Sequence, residues 1–585
     1  MTDVVAVPAS SGVATRARNA IQTVVAFVRR RPALTAVLVA YIGAALVLPT
    51  RANLVMYDDF IYVRQAQEFA RHLVIHVPDQ TAANAVFEIV WGGAFARVLG
   101  THLWVFRLAT LVLSFLSGIA MYGLCRELGV GRNGSAAGVA LLLFNPLAFV
   151  LSYTFMTDPH LTALLVIATY SYVRGLRAPH AARWLWAGGA LASLAYLSRP
   201  QGALLPFAVV VWMLLARRIR FDRTGVVTAL QVALVPALVF VGHQVWLRAF
   251  NGVPSDQAGF TQQFLDLGAH DFALLVDRLT FVELMYLGAS LVPIALGLVL
   301  ALRPILRGMR RGGWIAAGVA LAVLATGFWS FQRHGRRMPY IPSWFTTLGL
   351  GPDGIVGLRG AIMKPWMVDT LTWASLLAAA IVILAVCRAL FDRTATRRAE
   401  ASLMVVILAV TAIGAILPSV AFASVISLDR YILPMFPFGI VLAVWSCRGL
   451  RVWRVGLVLG LVFIVGYSVV ATRDNLEFHS AIWKLDRYAN SIGVPNTELD
   501  GGAGWTRYYL AGEGKQVKLF PGAAALWWVT ADNRTTAQYV VAGQPIPGYE
   551  IIRQLPYSQW LQTGPSSVYL QKIPDINKKL FGSGG

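Results

Sequence analysis

Apolar runs of about 17–25 residues recur along this chain almost to Cys447 and beyond, and each is long enough to cross a hydrocarbon core of roughly 30 Å. No motif constrains the fold as tightly. Lipid cannot satisfy backbone polar groups, so repeated crossings of this length are made by helices. The charge balance agrees. Only 13% of the 585 residues are charged and 57% are hydrophobic, with a mean hydropathy of +0.62. A soluble domain carries about twice that charged fraction.

The net charge of +22 raises nucleic acid as a partner, but its distribution excludes one. Basic residues gather in short connectors: Arg29-Arg30-Arg31, Arg217 and Arg218 with Arg220 and Arg223, Arg303 to Arg311, Arg393 to Arg398, and Arg448 to Arg454. Clusters on alternate connectors are the positive-inside pattern, which orients a membrane protein. Nucleic-acid binding needs basic and aromatic residues interleaved on one surface. Cys125, Cys387 and Cys447 offer neither a disulfide framework nor metal-ligand spacing.

With the basic clusters inside, an α-helical polytopic membrane protein of about thirteen transmembrane helices is predicted. Residues 1–32 form a cytoplasmic segment that, with the apolar run after it, reads as a signal anchor, and residues 33–471 the transmembrane domain, with outer loops at 51–100, 248–280 and 332–366. Residues 472–585 form a small extracytoplasmic α/β domain, opening with an amphipathic helix Glu477–Ile492. Strands are predicted at Gln516–Phe520, Leu526–Thr530, Gln538–Val541 and Ser567–Gln571. In the first outer loop, Phe60–Leu73 and Val86–Leu99 have the helical period of amphipathic interface helices. The span beginning at Leu403 is expected to end near Val425.

Asp58 and Asp59 stand where the first apolar run ends. Acids at a helix start stabilise its dipole by about 0.3–1 kcal/mol; the alternative is a general base at the lipid–water boundary. Asp158, in Met156-Thr157-Asp158-Pro159-His160, is a good helix cap. Asp158 and His160 also share the outer side with Asp58. Arg199 and Arg430 sit at outer turns where positive charge is otherwise sparse. They either snorkel to headgroups, with Arg430 pairing to Asp429, or capture a phosphate through the guanidinium fork. Glu88 is an acid beside apolar sequence; with one of His160, His243, His270 or His334 it is a weak candidate for a metal site.

Taken in order, these features resemble the GT-C glycosyltransferases, in particular the branch of protein O-mannosyltransferases and lipid A aminoarabinose transferases. The shared elements are the acid pair after span one and the interfacial helices that follow. The Met-Thr-Asp start of span four, Arg199-Pro200 after span five, Asp429-Arg430-Tyr431 before a late span, and an outer C-terminal domain complete the set. The resemblance implies transfer of a sugar, with inversion, from a polyprenyl-phosphate donor to a lipid, glycan or protein acceptor on the outer face of the cytoplasmic (inner) membrane. It makes Asp58 the base; Asp59 is the second catalytic candidate, since two adjacent acids permit one to accept a proton while the other orients the substrate. Tyr62, three positions after the second acid, also fits.

Two positions depart from the family. The chain has Phe87-Glu88-Ile89-Val90 where aminoarabinose transferases have Phe-Glu-Lys-Pro, and Ile61 where an Arg is expected. Donor-phosphate contacts then fall to Arg64, Arg199 or Arg430, with Asp158, His160, Glu88 and Tyr431 completing the substrate site. No cofactor is required for such a transfer; a divalent metal stays open. The alternative from another class is a multispan transporter or lipid flippase, which would place ionisable groups near mid-membrane between repeated halves.

Overall fold

The computed structural model describes residues 28–177, 182–217, 222–357, 359–393, 397–418, 428–510, 537–562 and 566–574. Helices fill most of them. From the start, α1 (Pro32–Val47) leads through a loop to α2 (Asp59–His72) and α3 (Val86–Leu99), followed by α4 (Leu103–Glu127). Next come α5 (Arg132–Leu143), α6 (Pro146–Ser152), α7 (Thr157–Gly175), α8 (Ala182–Ser198) and α9 (Leu204–Leu215). The middle of the chain supplies α10 (Arg223–Trp246), α11 (Ser255–Asp266), α12 (Ala269–Leu298), α13 (Leu302–Arg307) and α14 (Arg311–Arg333). After them come α15 (Pro365–Phe391), α16 (Arg398–Ile416), α17 (Phe436–Ser446), α18 (Arg454–Ser491) and α19 (Gly502–Leu510).

Among the described residues, seven helices are long and apolar enough to cross a bilayer, and the α5–α6 pair, bent by 61°, makes an eighth if it is one span. The seven are α4, α10, α12 with its extension to Arg307, α14, α15, α16 and α18; α1 and the Pro200–Leu215 stretch are apolar but shorter. Burial separates centre from periphery. The apolar windows of α4 and α12 are 61% and 67% buried, whereas those of α10 and α14 are only 11% buried and face outward.

The two helices expected in the loop after the first apolar run fall where the period predicts them, at α2 and α3. The tail differs from expectation. No break separates the last apolar run from an amphipathic helix: both belong to α18, whose 38 residues extend about 57 Å at 1.5 Å per residue. Ala, Leu and charged residues around Thr472 carry no Pro or Gly to interrupt the helix. Its polar half continues past the apolar run and packs against the sheet of the C-terminal domain.

That domain contains a four-stranded sheet in the order β3-β4-β6-β5, where β3 is Leu499–Asp500, β4 Tyr539–Ala542, β5 Glu550–Tyr557 and β6 Ser566–Lys572. The β3–β4 pair is parallel and the other two pairs are antiparallel. Strands β4 and β6 match predicted segments, and β5 was not predicted. The segments 516–520 and 526–530, and the end of the span from Leu403, lie outside the described residues. In the loop after α14, a two-residue hairpin pairs β1 (Phe345–Thr346) with β2 (Gly349–Leu350).

Candidate active site

Four segments meet at the end of the bundle that carries the C-terminal domain. The first is the loop from Thr50 to Asp58. Arg107, buried in the first turn of α4, ties it down by donating to the carbonyls of Thr50 (2.5 Å), Ala52 (3.0 Å) and Leu54 (3.3 Å), and to Tyr153 (2.7 Å) across the bundle. Hydrogen bonds from a charged donor are among the stronger ones, roughly 1.5–3 kcal/mol each. Tyr57 then takes a left-handed turn (φ 58°), a cost accepted by few non-glycine residues. The turn sends the two acids into different surroundings.

Asp59 faces inward. It is 4% exposed and accepts from the amides of Met56 (2.7 Å) and Phe155 (3.4 Å). Burial pushes its carboxyl up to about 8, against the pull of the Phe155 amide, Arg107 and the Met56 amide. Its contacts brace the loop against the entry to α7. Asp58 faces the other way and pairs with Arg430, whose Nη2 donates to Oδ2 at 2.8 Å. The Asp58 side chain is 22% exposed and that of Arg430 only 7%.

The second segment is the start of α7. Asp158 sits inside the first turn and does not cap the helix; the cap position is Met156, with no side-chain capping bond. Its carboxylate, fully buried, instead receives Nη1 of Arg199 in a short ion pair and stands 4.0 Å from Nε of Arg430. The pull of a guanidinium on a buried carboxylate outweighs capping, which a backbone start with Pro at the next position can do without.

The third segment is the turn after α8. The amide of Gly202 donates to the Arg199 carbonyl at 2.9 Å, and a Cβ on Gly202 would come within 2.2 Å of the Ala195 carbonyl carbon, so the turn folds tightly onto the helix end. Just before it, Ser198 donates to Glu88 of α3 in a short bond. Burial, opposed first by the Ser198 bond, pushes the Glu88 carboxyl up to about 8. His160 approaches Glu88 at 4.0 Å, but its Nδ1 donates to the Met156 carbonyl at 2.7 Å, while Thr110 lies 3.4 Å from Nε2. These groups form a second layer behind Arg199.

The fourth segment is the tight helical stretch Asp429–Met435 leading into α17. Asp429 does not pair with Arg430. It accepts from the amides of Ser343 (3.2 Å), Trp344 (2.9 Å) and Phe345 (2.7 Å), anchoring the loop after α14. That leaves Arg430 to the site. Tyr431 lies under both guanidinium groups, at 4.9 Å from Arg199 and 5.5 Å from Arg430. Such cation–π contacts are worth roughly 0.5–2 kcal/mol. Tyr62 joins the cluster from α2; burial pushes its phenol up to about 12, opposed first by Arg199 and by a bond with Thr81. Arg64 is exposed on the same helix.

Asp58, Arg430, Asp158 and Arg199 therefore form one alternating chain of charge, with Asp58 at its water-accessible end. Beside Arg199 a small cleft is walled by Leu161, Leu165, Leu204 and Pro434, apolar surface next to a guanidinium group. Of the metal candidates, Glu88 has only His160 nearby; His243 bonds to Tyr196 (3.0 Å), His334 to the Ser330 carbonyl (2.8 Å), and His270 is exposed. Among the described residues no three His, Cys, Asp or Glu side chains are grouped to hold a metal ion. Arg107 and the anchoring role of Asp429 escaped the sequence reading. A lone arginine in the first turn of an apolar run was the available signal for Arg107.

Residues 91–246 match the family described as dolichyl-phosphate-mannose-protein mannosyltransferase. The chain resembles the GT-C glycosyltransferases of that group. The matched stretch includes Asp158, His160 and Arg199, while Asp58 and Arg430 lie on either side of it. Comparison with curated proteins gives no match. Among solved structures, ArnT from Cupriavidus metallidurans aligns in its apo state with 15% identity and a TM-score of 0.37, over 92% of this chain and 98% of that one. Its form bound to undecaprenyl phosphate aligns with 16% identity and a TM-score of 0.36, over the same shares. The archaeal oligosaccharyltransferase AglB from Archaeoglobus fulgidus, in complex with an inhibitory peptide and a dolichol-phosphate, aligns with 12% identity and a TM-score of 0.44, over 88% and 70%.

Proposed function

We propose that this chain is an inverting glycosyltransferase of the cytoplasmic membrane. It moves a sugar from a polyprenyl-phosphate donor to an acceptor hydroxyl or similar group on the outer face. The observation that carries the reading is the 2.8 Å pair between Asp58 and Arg430, set against Asp158 and Arg199. A carboxylate that can take a proton stands beside guanidinium groups that can hold a phosphate, and an apolar cleft for a prenyl chain adjoins them.

In this scheme the donor phosphate competes with Asp58 for Arg430. When the phosphate takes over the guanidinium, the Asp58 carboxylate is released to accept the acceptor's proton. The acceptor oxygen attacks the anomeric carbon, the carbon–oxygen bond to phosphate breaks with inversion, and the polyprenyl phosphate leaves with the electron pair. Arg430 and Arg199 stabilise the charge gathering on it; a preorganised donor of this kind is worth roughly 3–4 kcal/mol. Asp158 holds both arginines in place, and Asp59 braces the loop. The grouping of these charges at one end of the bundle, with no repeat of halves in the sequence, favours transfer over transport.

The test is to incubate the purified protein with candidate polyprenyl-phosphate sugars and acceptors and to measure release of free polyprenyl phosphate. Asp58→Asn should retain donor binding and lose turnover by about 10²–10⁴-fold, the usual contribution of a general base. Near-normal turnover in that variant would remove Asp58 from the base role.

A further inference from the structure

A cavity of about 490 Å³ lies outside the site above, between the end of α1 and the C-terminal half of α18. Four of its lining residues on α18 are Glu477, Ser480, Lys484 and Arg487. Their spacing places them along one helix face. Opposite them stand Arg51 and Leu46. Arg51, Lys484 and Arg487 are exposed cations, and Glu477 is the single acid in the lining, so the cavity carries a surplus of positive charge.

Three further observations identify its occupant. Ser480 lines the cavity; the residue is 9% exposed, and its hydroxyl is buried with no hydrogen-bond partner. A buried hydroxyl left unpaired costs free energy that an incoming acceptor oxygen recovers. An apolar lane runs along the lipid-facing side of α1 up to the cavity: Val39, Ile42 and Leu46 are 61%, 46% and 79% exposed and share a helix face. Finally, Glu477 comes about 35 Å along α18 from Arg454, just past a hydrocarbon core of roughly 30 Å. The cavity therefore sits at headgroup level.

We infer that this cavity binds an anionic phospholipid, its phosphate held among Arg51, Lys484, Arg487 and Ser480 and its acyl chain lying along Val39, Ile42 and Leu46. A free phosphate would satisfy the cations but leave the apolar lane unused; a neutral lipid would use the lane but not the cations.

The full-length protein, purified in a neutral detergent, can be titrated with phosphatidylglycerol and followed by native mass spectrometry. One equivalent should bind about thirtyfold more tightly to the unaltered chain than to Lys484→Ala/Arg487→Ala, the loss expected for two interfacial cations. Lys364→Ala, which removes an exposed cation elsewhere, should leave the affinity unchanged. Inorganic phosphate at millimolar concentration should not displace the lipid, and Leu46→Ser should weaken it severalfold while the melting temperature stays within a few degrees. Equal lipid affinity in the double variant, displacement by inorganic phosphate, or insensitivity to Leu46→Ser would each overturn the assignment. None of these readouts depends on glycosyl transfer, so the lipid site and the proposed reaction stand or fall separately.

Discussion

Asp158 has no access to water and faces two guanidinium groups, Arg199 in a short pair and Arg430 at 4.0 Å. Removing one partner of a buried pair strands the other charge, which typically costs about 3–5 kcal/mol. Asp158→Asn should therefore lower stability by about that amount in thermal or denaturant unfolding. Asp58→Asn should lower it much less, because its side chain is part-exposed and Arg430 still faces Asp158. Equal losses in the two variants would contradict this division between a positioning carboxylate and a reacting one. The same residues show what the sequence could reveal. Arg199 and Arg430 were conspicuous because they broke the sidedness of the basic clusters, and Asp58 because it ended an apolar run. Arg107 was not, since one arginine in an otherwise apolar window does not disturb its periodicity. The partner of Asp429 was not legible for a related reason: adjacency offers Arg430, but three backbone amides from residues 343–345 converge on that carboxylate from 84–86 positions away, a distance no local pattern encodes.

Helices α2 and α3 were legible from their 3.6-residue period, yet the pattern did not disclose that each carries a carboxyl into the protein. Asp59 and Glu88 both have folded pKa values of about 8, raised by burial, against about 4 when unfolded. Folded chains then hold more protons than unfolded ones between those values. Their contribution to stability is full below about pH 4 and is lost as pH climbs through 8. The melting temperature should fall by on the order of 5 °C between pH 5 and pH 8.5, and Glu88→Gln, which can still accept the Ser198 hydroxyl bond, should flatten that slope. A slope unchanged by Glu88→Gln would show that the proton sits elsewhere. Other elements were hidden for different reasons. The continuity of α18 was hidden because the polarity changes near Thr472 while the backbone does not. Strand β5 escaped because its burial is scattered, with five of eight residues exposed or nearly so along Glu550–Tyr557, leaving no strict alternation to detect.

At the scale of the whole molecule, the C-terminal domain is not a separate appendage; it packs on the loop that carries the acids. Asn475 contacts the Met56 sulfur (3.3 Å), Arg487 donates to the Asn53 carbonyl (3.4 Å), and Tyr508 donates to Gln67 of α2 (3.2 Å). Arg507 of α19 lies 5.1 Å from the Phe60 ring and donates to Gln80 (3.2 Å). The closest approach is at Gly504, where an added Cβ would meet the Val55 carbonyl oxygen at 2.8 Å, three residues before Asp58. Backbone on both sides leaves little room for a side chain to yield, so Gly504→Ala must move α19 or the loop by several tenths of an ångström. The bundle, held by α4 and α12, has no reason to unfold in response. Misplacement on this scale at a reacting group costs turnover disproportionately, up to about a hundredfold for an ångström. Gly504→Ala should therefore lower kcat about tenfold while shifting the melting temperature by only a few degrees, with donor binding largely retained because Arg199 and Arg430 are held by other segments. Unchanged kcat in a folded Gly504→Ala protein would mean that the C-terminal domain rests on the loop without fixing Asp58.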